Sequence, residues 1–122
     1  MRVLLIEDDE PTACLLQEVL EEEGHAVQRV ASRVAALDAA RGGGWDAALT
    51  DCFGPHFGEL DPADRALLGA LAEQLPVVVI SARVWAQRAR PEDLGVAAVL
   101  PKPFGLAELL AVLESIAPRA AA

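Results

Sequence analysis

The sequence predicts a single-domain α/β fold, a doubly wound five-stranded parallel sheet, and three observations predict it. Strand-like and helix-like segments alternate five times along the chain. The strand-like segments are short continuous apolar runs, as expected of strands covered on both faces. A length of 122 residues suffices for one core of ordinary size and is too short for two. Successive strands joined by right-handed helical crossovers then pair in parallel, with helices on both sides of the sheet.

Val3-Leu4-Leu5-Ile6 is the first strand. Pro11 suits the first turn of a helix in which Leu15, Leu16, Val19 and Leu20 recur at helical spacing until Gly24 stops it. Ala26 to Ala31 makes the second strand, after which Ser32 caps a helix carrying Val34, Leu37 and Ala40, broken by Gly42-Gly43-Gly44. Asp46 to Thr50 is the third strand. Beyond a loop rich in Gly, Pro and aromatic residues, Asp61-Pro62 reads as an N-cap and first-turn proline opening a helix with Leu67, Leu68 and Leu71 on one face. Pro76 introduces the buried strand Val77 to Ile80, and Arg83 to Arg90 predicts a short helix that Pro91 ends or kinks. Val96 to Leu100 is the fifth strand, and Leu106, Leu109, Leu110 and Leu113 mark the last helix. The domain is expected over residues 1–117, with 118–122 a frayed tail or the start of a linker.

Composition narrows the function classes. An apolar fraction of 53% with 24% charged residues is that of a folded chain. Ten basic against nineteen acidic side chains give a net charge of −9, which repels nucleic-acid backbones and anionic membranes and favours divalent cations and basic protein surfaces. No apolar run approaches the roughly 20 residues of a membrane span. No leader pattern precedes the acidic turn at Glu7, so a cytoplasmic location is expected. Cys14 and Cys52, far apart and without a CxxC pattern, read as small apolar residues rather than redox or zinc ligands.

Open parallel sheets bind ligands beyond the carboxyl ends of their strands. There the sequence places Glu7-Asp8 after the first strand, Asp51 after the third, Ser81-Ala82 after the fourth and Lys102-Pro103 after the fifth. Clustered carboxylates repel one another unless a cation neutralises them. With no thiolate or imidazole at hand, the set suits Mg²⁺, which completes its shell with water and phosphoryl oxygens. A metal beside Asp51 would polarise an incoming phosphoryl group while Lys102 and Ser81 neutralise and hydrogen-bond its other oxygens.

In these residues the chain, over residues 1 to 117, resembles the receiver domains of two-component response regulators, a flavodoxin-like fold. The shared pattern is an acidic pair, a phosphoacceptor aspartate, Ser or Thr followed by a small residue, and Lys-Pro, in that order after strands one, three, four and five. The resemblance implies that Asp51 accepts the phosphoryl group and ligates Mg²⁺ together with Asp8, with Glu7 through water and with the backbone carbonyl of Phe53. It implies that Ser81, the backbone amide of Ala82 and Lys102 contact the phosphoryl group, and that the Lys102-Pro103 bond is cis. Pro55 matches a proline common four positions after the phosphoacceptor. The implied donor is a histidine kinase or histidine phosphotransfer protein. The implied output is a protein or effector domain reached through protein contacts, with no direct nucleic-acid binding, no membrane and no enzymatic activity.

The sequence departs from that pattern in three places. Val99 stands where many members carry Tyr or Phe as a switch, Pro91 shortens the fourth helix, and the loop from Cys52 to Gly58 is unusually apolar, with its glycine one position early. Signal transmission is therefore expected through the loop after Ser81 and the short helix bearing Trp85, itself read as core-filling in preference to an interface anchor. Phe53 and Arg83 occupy positions that flank the attacking water in the family. The Phe53 ring is expected to shield the phosphoryl group, and Arg83 to attract its oxygens. Asp9 and Glu10 read as helix N-terminal charges, Glu21-Glu22-Glu23 as a solvated helix end, and His25 and His56 as ordinary loop residues. Two other function classes fit less well. One is a phosphorylation-independent scaffold. The other is an aspartate-nucleophile phosphohydrolase, which places its nucleophile after the first strand.

Overall fold

Successive side chains of a strand point to opposite sides of a sheet, and in β1 (Arg2–Ile6) that parity divides the core in two. In the computed structural model, which describes residues 1–54 and 58–116, Leu4 and Ile6 pack with Ala36 and Ala40 of α2 (Arg33–Arg41) and Leu67, Leu68 and Leu71 of α3 (Pro62–Ala72). Val3 and Leu5 face the other way, onto Ala13, Leu16 and Leu20 of α1 (Glu10–Glu22) and Leu109 and Leu113 of α5 (Leu106–Ile116). β3 (Ala47–Thr50) and β4 (Val77–Ser81) keep the same alternation and are buried along their whole length. Burial on both faces is why these strands read as unbroken apolar runs. The edge strands β2 (Ala26–Val30) and β5 (Ala98–Pro101) are only partly covered.

All pairings are parallel, in the order β2-β1-β3-β4-β5. The expected five-stranded doubly wound sheet is thus present. The chain reverses its direction of winding between β1 and β3, where this strand order opens its ligand crevice. Opposite Ile6 lies Thr50, and opposite Ser81 lies Pro101, so residues 7, 51, 82 and 102 leave the sheet along one edge.

The helix starts follow their capping residues. Ser32 Oγ accepts from the amide of Ala35 at 3.1 Å, and Asp61 accepts from Ala63 at 2.7 Å with Pro62 in the first turn. Several expectations need correcting. Leu15 and Val34, 62% and 71% exposed, lie outside the core. The short alanines Ala13 and Ala36 bring α1 and α2 close to the sheet instead. Pro91 does not end a helix running from Arg83. Only a 3₁₀ turn forms at Val84–Gln87, and Pro91 opens a separate one-turn helix α4 (Pro91–Leu94), where its missing N–H costs nothing. Gly95 closes α4 in the left-handed region at φ 69°, and the amide of Val96 turns back to Pro91 O at 3.1 Å. That amide is committed to the cap, so β5 begins at Ala98 rather than Val96. The expectations for Pro55, His56 and the tail 118–122 fall outside the described residues. Among the described residues no helix is long and apolar enough to cross a membrane.

The cysteines differ. Cys52 is buried as expected, whereas Cys14 is exposed on α1. Burial, reinforced by the charges of Asp64 and Asp51, pushes the Cys52 thiol up to about 12. A water-soluble disulfide reagent at neutral pH should therefore titrate Cys14 in the native chain at least about a hundredfold faster than Cys52, which reacts on unfolding. Equal rates in the native chain would contradict this burial.

Candidate functional site

Backbone hydrogen bonds extend three of the four ladders one residue past the strand ends and so fix the spacing of the site. The amide of Glu7 donates to Val30 O at 3.1 Å, that of Asp51 to Ile6 O at 2.9 Å, and that of Lys102 to Ser81 O at 2.8 Å. Side chains that follow β1, β3 and β5 thereby meet. Glu7, Asp8 and Asp51 each bring a carboxylate oxygen within 4.8 Å of the other two. Lys102 reaches between two of them, its Nζ 3.1 Å from Glu7 Oε1 and 3.1 Å from Asp51 Oδ2. The Lys102-Pro103 bond is cis, as the resemblance implied.

Glu7 is fully buried. Desolvation and then the charge of Asp51 raise its pKa, against the pull of Lys102. For Lys102 desolvation works downward, but Asp51 and Glu7 outweigh it and the ammonium is held charged above its usual range. Asp9 keeps to the helix: its carboxylate caps α1, accepting from the amide and hydroxyl of Thr12, and those bonds lower its pKa.

The donor set fits a hard divalent cation. Carboxylate oxygens of Glu7, Asp8 and Asp51 all within 4.8 Å of one another, with no thiolate or imidazole among them, are a donor set suited to Mg²⁺ and its waters. Three carboxylates against the two cations in contact with them, Lys102 and Arg83, leave a net negative charge. They border an open cavity of about 420 Å³ to which Ala82, Arg83 and Thr12 also contribute.

Arg83 is the largest departure from expectation. Its guanidinium pairs with Asp51 itself, Nη1 to Oδ1 at 2.8 Å, while Nε donates to Gly54 O at 2.9 Å. Its backbone amide donates to Ser81 Oγ at 3.1 Å. The amide of Cys52 also donates to Asp51 Oδ1, at 2.7 Å, so each Asp51 oxygen has a cation against it. Ser81 is fully buried and is not among the residues that line the cavity, whereas Ala82 is exposed and lines it. The Phe53 ring does not cover the site as expected. It packs against the core on the α2 and α3 side, with the Arg33 guanidinium 5.5 Å from its centroid, because an apolar ring gains more there than beside three carboxylates. Val99 packs against the same cluster as Trp85, which is core-filling as expected.

Asp64 was not among the sequence candidates. It is 1% exposed and accepts from the amide of Phe53 at 3.0 Å, the amide of Gly54 at 2.8 Å and Arg33 Nε at 3.0 Å. This carboxylate ties α3 to the loop that carries the Phe53 carbonyl and holds Arg83. The sequence did carry a signal, since Asp64 lies on the helical stripe of Leu67, Leu68 and Leu71, and a charge on a buried stripe demands partners. The loop runs so close to α3 that a Cβ at position 54 would strike the Asp61 side chain, which places the glycine there.

Comparison with known proteins gives a consistent result. The family model for the response regulator receiver domain matches residues 3–114. The transcriptional regulatory protein TcrA of Mycobacterium tuberculosis is 34% identical over 98% of this chain, which spans 47% of TcrA, about half its length. The non-phosphorylated HemR receiver domain of Leptospira biflexa superposes with a TM-score of 0.74 at 31% identity, covering 94% of this chain and 92% of that one. The receiver domain of the sensor histidine kinase PA1611 of Pseudomonas aeruginosa, solved with a magnesium ion in its active-site cleft, gives a TM-score of 0.75 at 26% identity over 93% and 94% of the two chains.

Proposed function

This chain belongs to the response regulator receiver domain family, and from that premise we propose that Asp51 is its phosphoacceptor, charged by a phosphohistidine donor in the presence of Mg²⁺. The observation that carries the reading is the meeting of Glu7, Asp8 and Asp51 with Lys102 at the β1–β3 crevice. Asp8, Asp51 and the Phe53 carbonyl would hold the ion, with Glu7 behind a water. Mg²⁺, when bound, offsets the charge of the phosphoryl oxygens.

An Asp51 oxygen attacks phosphorus, a P–O bond forms, and the P–N bond breaks with its electron pair going to the imidazole, which takes up a proton. Lys102 would neutralise one phosphoryl oxygen, and the Ala82 amide and the Ser81 hydroxyl would donate to the others. A protein donor is supported by an apolar hollow of about 440 Å³ beside the site, lined by Leu15, Leu16, Pro103 and Phe104 and continuous with the site through Thr12, Ala82 and Lys102. The net charge of −9 favours a basic donor surface and output through protein contacts rather than nucleic acid or an anionic membrane.

Intact-mass measurement after incubation with acetyl phosphate and Mg²⁺ tests the reading. The parent chain should gain one phosphate, and Asp51→Asn, or the parent with a metal chelator, should gain none. No gain by the parent is the result of a scaffold, and continuous turnover of small phosphate esters that of a phosphohydrolase.

A further inference from the structure

One buried side chain joins the acidic site to the loop after β3 and to the turn that follows β4. Arg83 contacts the carboxylate of Asp51 at 2.8 Å, the loop after β3 through Gly54 O at 2.9 Å, and Ser81 Oγ through its own amide at 3.1 Å. It is 6% exposed, and the next residues form the 3₁₀ turn Val84–Gln87, whose Trp85 and Ala86 are seated in the core. The same turn carries Val84, 44% exposed, on the outer surface.

We propose that Arg83 is the residue that couples the charge state of Asp51 to the Val84–Gln87 turn, a role that rests on Asp51 being the phosphoacceptor. Phosphorylation converts the Asp51 carboxylate into an acyl phosphate. The charge that Arg83 now pairs with leaves the carboxyl group and reappears on phosphoryl oxygens farther from the sheet. A buried guanidinium is not left without a partner. Arg83 follows the charge outward, its bond to Gly54 O is given up, and the backbone at residue 83 carries the adjoining turn with it. Asp51 is released from a cation at the moment it takes on the phosphoryl group, so the pairing exchanges one anion for another rather than creating a bare charge. Lys102, the other cation on Asp51, is also paired with Glu7, and its ammonium has no hydrogen bond to the turn among the described residues.

The test uses the emission of Trp85 in a Trp45→Phe background, with phosphate incorporation read by intact mass on the same samples. After acetyl phosphate and Mg²⁺ the parent should take up phosphate and change its Trp85 emission. Arg83→Gln, which keeps the length and removes the charge, should lose that change when emission is expressed per mole of phosphate taken up by the same sample, whatever its rate of uptake. Arg83→Lys keeps the charge without the second donor for Gly54 O, and should show a reduced change. In the chain without Arg83 substitutions, hydrogen exchange at residues 83–88 should respond to phosphorylation more than that at 98–101, a readout that needs no variant to fold. A phosphorylated Arg83→Gln with the parent's emission change, or exchange that responds at 98–101 and not at 83–88, overturns the coupling role while leaving Asp51 as the acceptor. A parent chain that takes up no phosphate overturns the acceptor assignment and the coupling together.

Discussion

Lys102→Met should cost about 3 kcal/mol of folding stability at about pH 8, roughly 10 °C in melting temperature, and much less at about pH 5. Glu7 is 0% exposed, and Lys102 is the cation in contact with it. Removing that cation while Glu7 is ionised strands a charge in the interior, whereas a protonated Glu7 needs no counter-ion. The sign follows from the direction of the shift. Desolvation and Asp51 already raise the Glu7 pKa above its ordinary 4.5, so the folded state binds that proton more tightly than the unfolded state does. The stability this contributes is full below 4.5 and is lost as pH rises through the folded value, and losing Lys102 pushes that value higher still. Urea unfolding at the two pH values reads the difference. A loss of equal size at both, or none at either, contradicts the account of the buried carboxylate.

Asp64→Ala should lose about 3 kcal/mol as well, since it strands the amides of Phe53 and Gly54 and removes the partner of Arg33 at a site 1% exposed. Arg33→Ala should cost less, because the Phe53 and Gly54 amides still hold the Asp64 carboxylate and the Arg33 side chain is 35% exposed. Asp64→Ala should also slow phosphorylation by acetyl phosphate about tenfold. The freed loop no longer fixes the Phe53 carbonyl or the Gly54 carbonyl that anchors Arg83, and small misplacements of a reacting group are costly. Stability from urea unfolding and phosphorylation from intact mass should fall together in Asp64→Ala. A destabilised variant with the parent's phosphorylation rate would confine Asp64 to packing.

Much of this architecture was legible because it follows from periodicity. The buried runs in β1, β3 and β4, the caps at Ser32 and Asp61, and the strand-end placement of Glu7, Asp8, Asp51 and Lys102 depend on spacing along the chain. What escaped depends on contacts between distant segments. Arg83 meets Asp51 across 32 positions: its place two residues after Ser81 sets it beside the site, but nothing local shows that it pairs with the Asp51 carboxylate itself. The Phe53 ring was assigned by its distance from Asp51 in sequence. Its direction is set by Asp64 holding the Phe53 amide and by the core cluster beside Arg33, neither of which spacing reveals. The expectation that Pro91 ends or kinks a helix fails because a proline both stops and starts helices, and only Gly95 four residues on shows which role it plays. Leu15, exposed beside the site, shows the reverse limit: helical spacing alone does not say which leucine of an adjacent pair faces the core.

The most direct measurement is to trap the acyl phosphate. Borohydride reduces an aspartyl phosphate to homoserine, with loss of phosphate, and leaves an unmodified carboxylate untouched. Peptide mapping after acetyl phosphate, Mg²⁺ and borohydride should place homoserine at position 51, and omission of Mg²⁺ or of acetyl phosphate should leave Asp51 intact. Homoserine at position 8 or at another aspartate, or at position 51 to the same extent without Mg²⁺, would contradict the assignment of Asp51 as the metal-dependent phosphoacceptor.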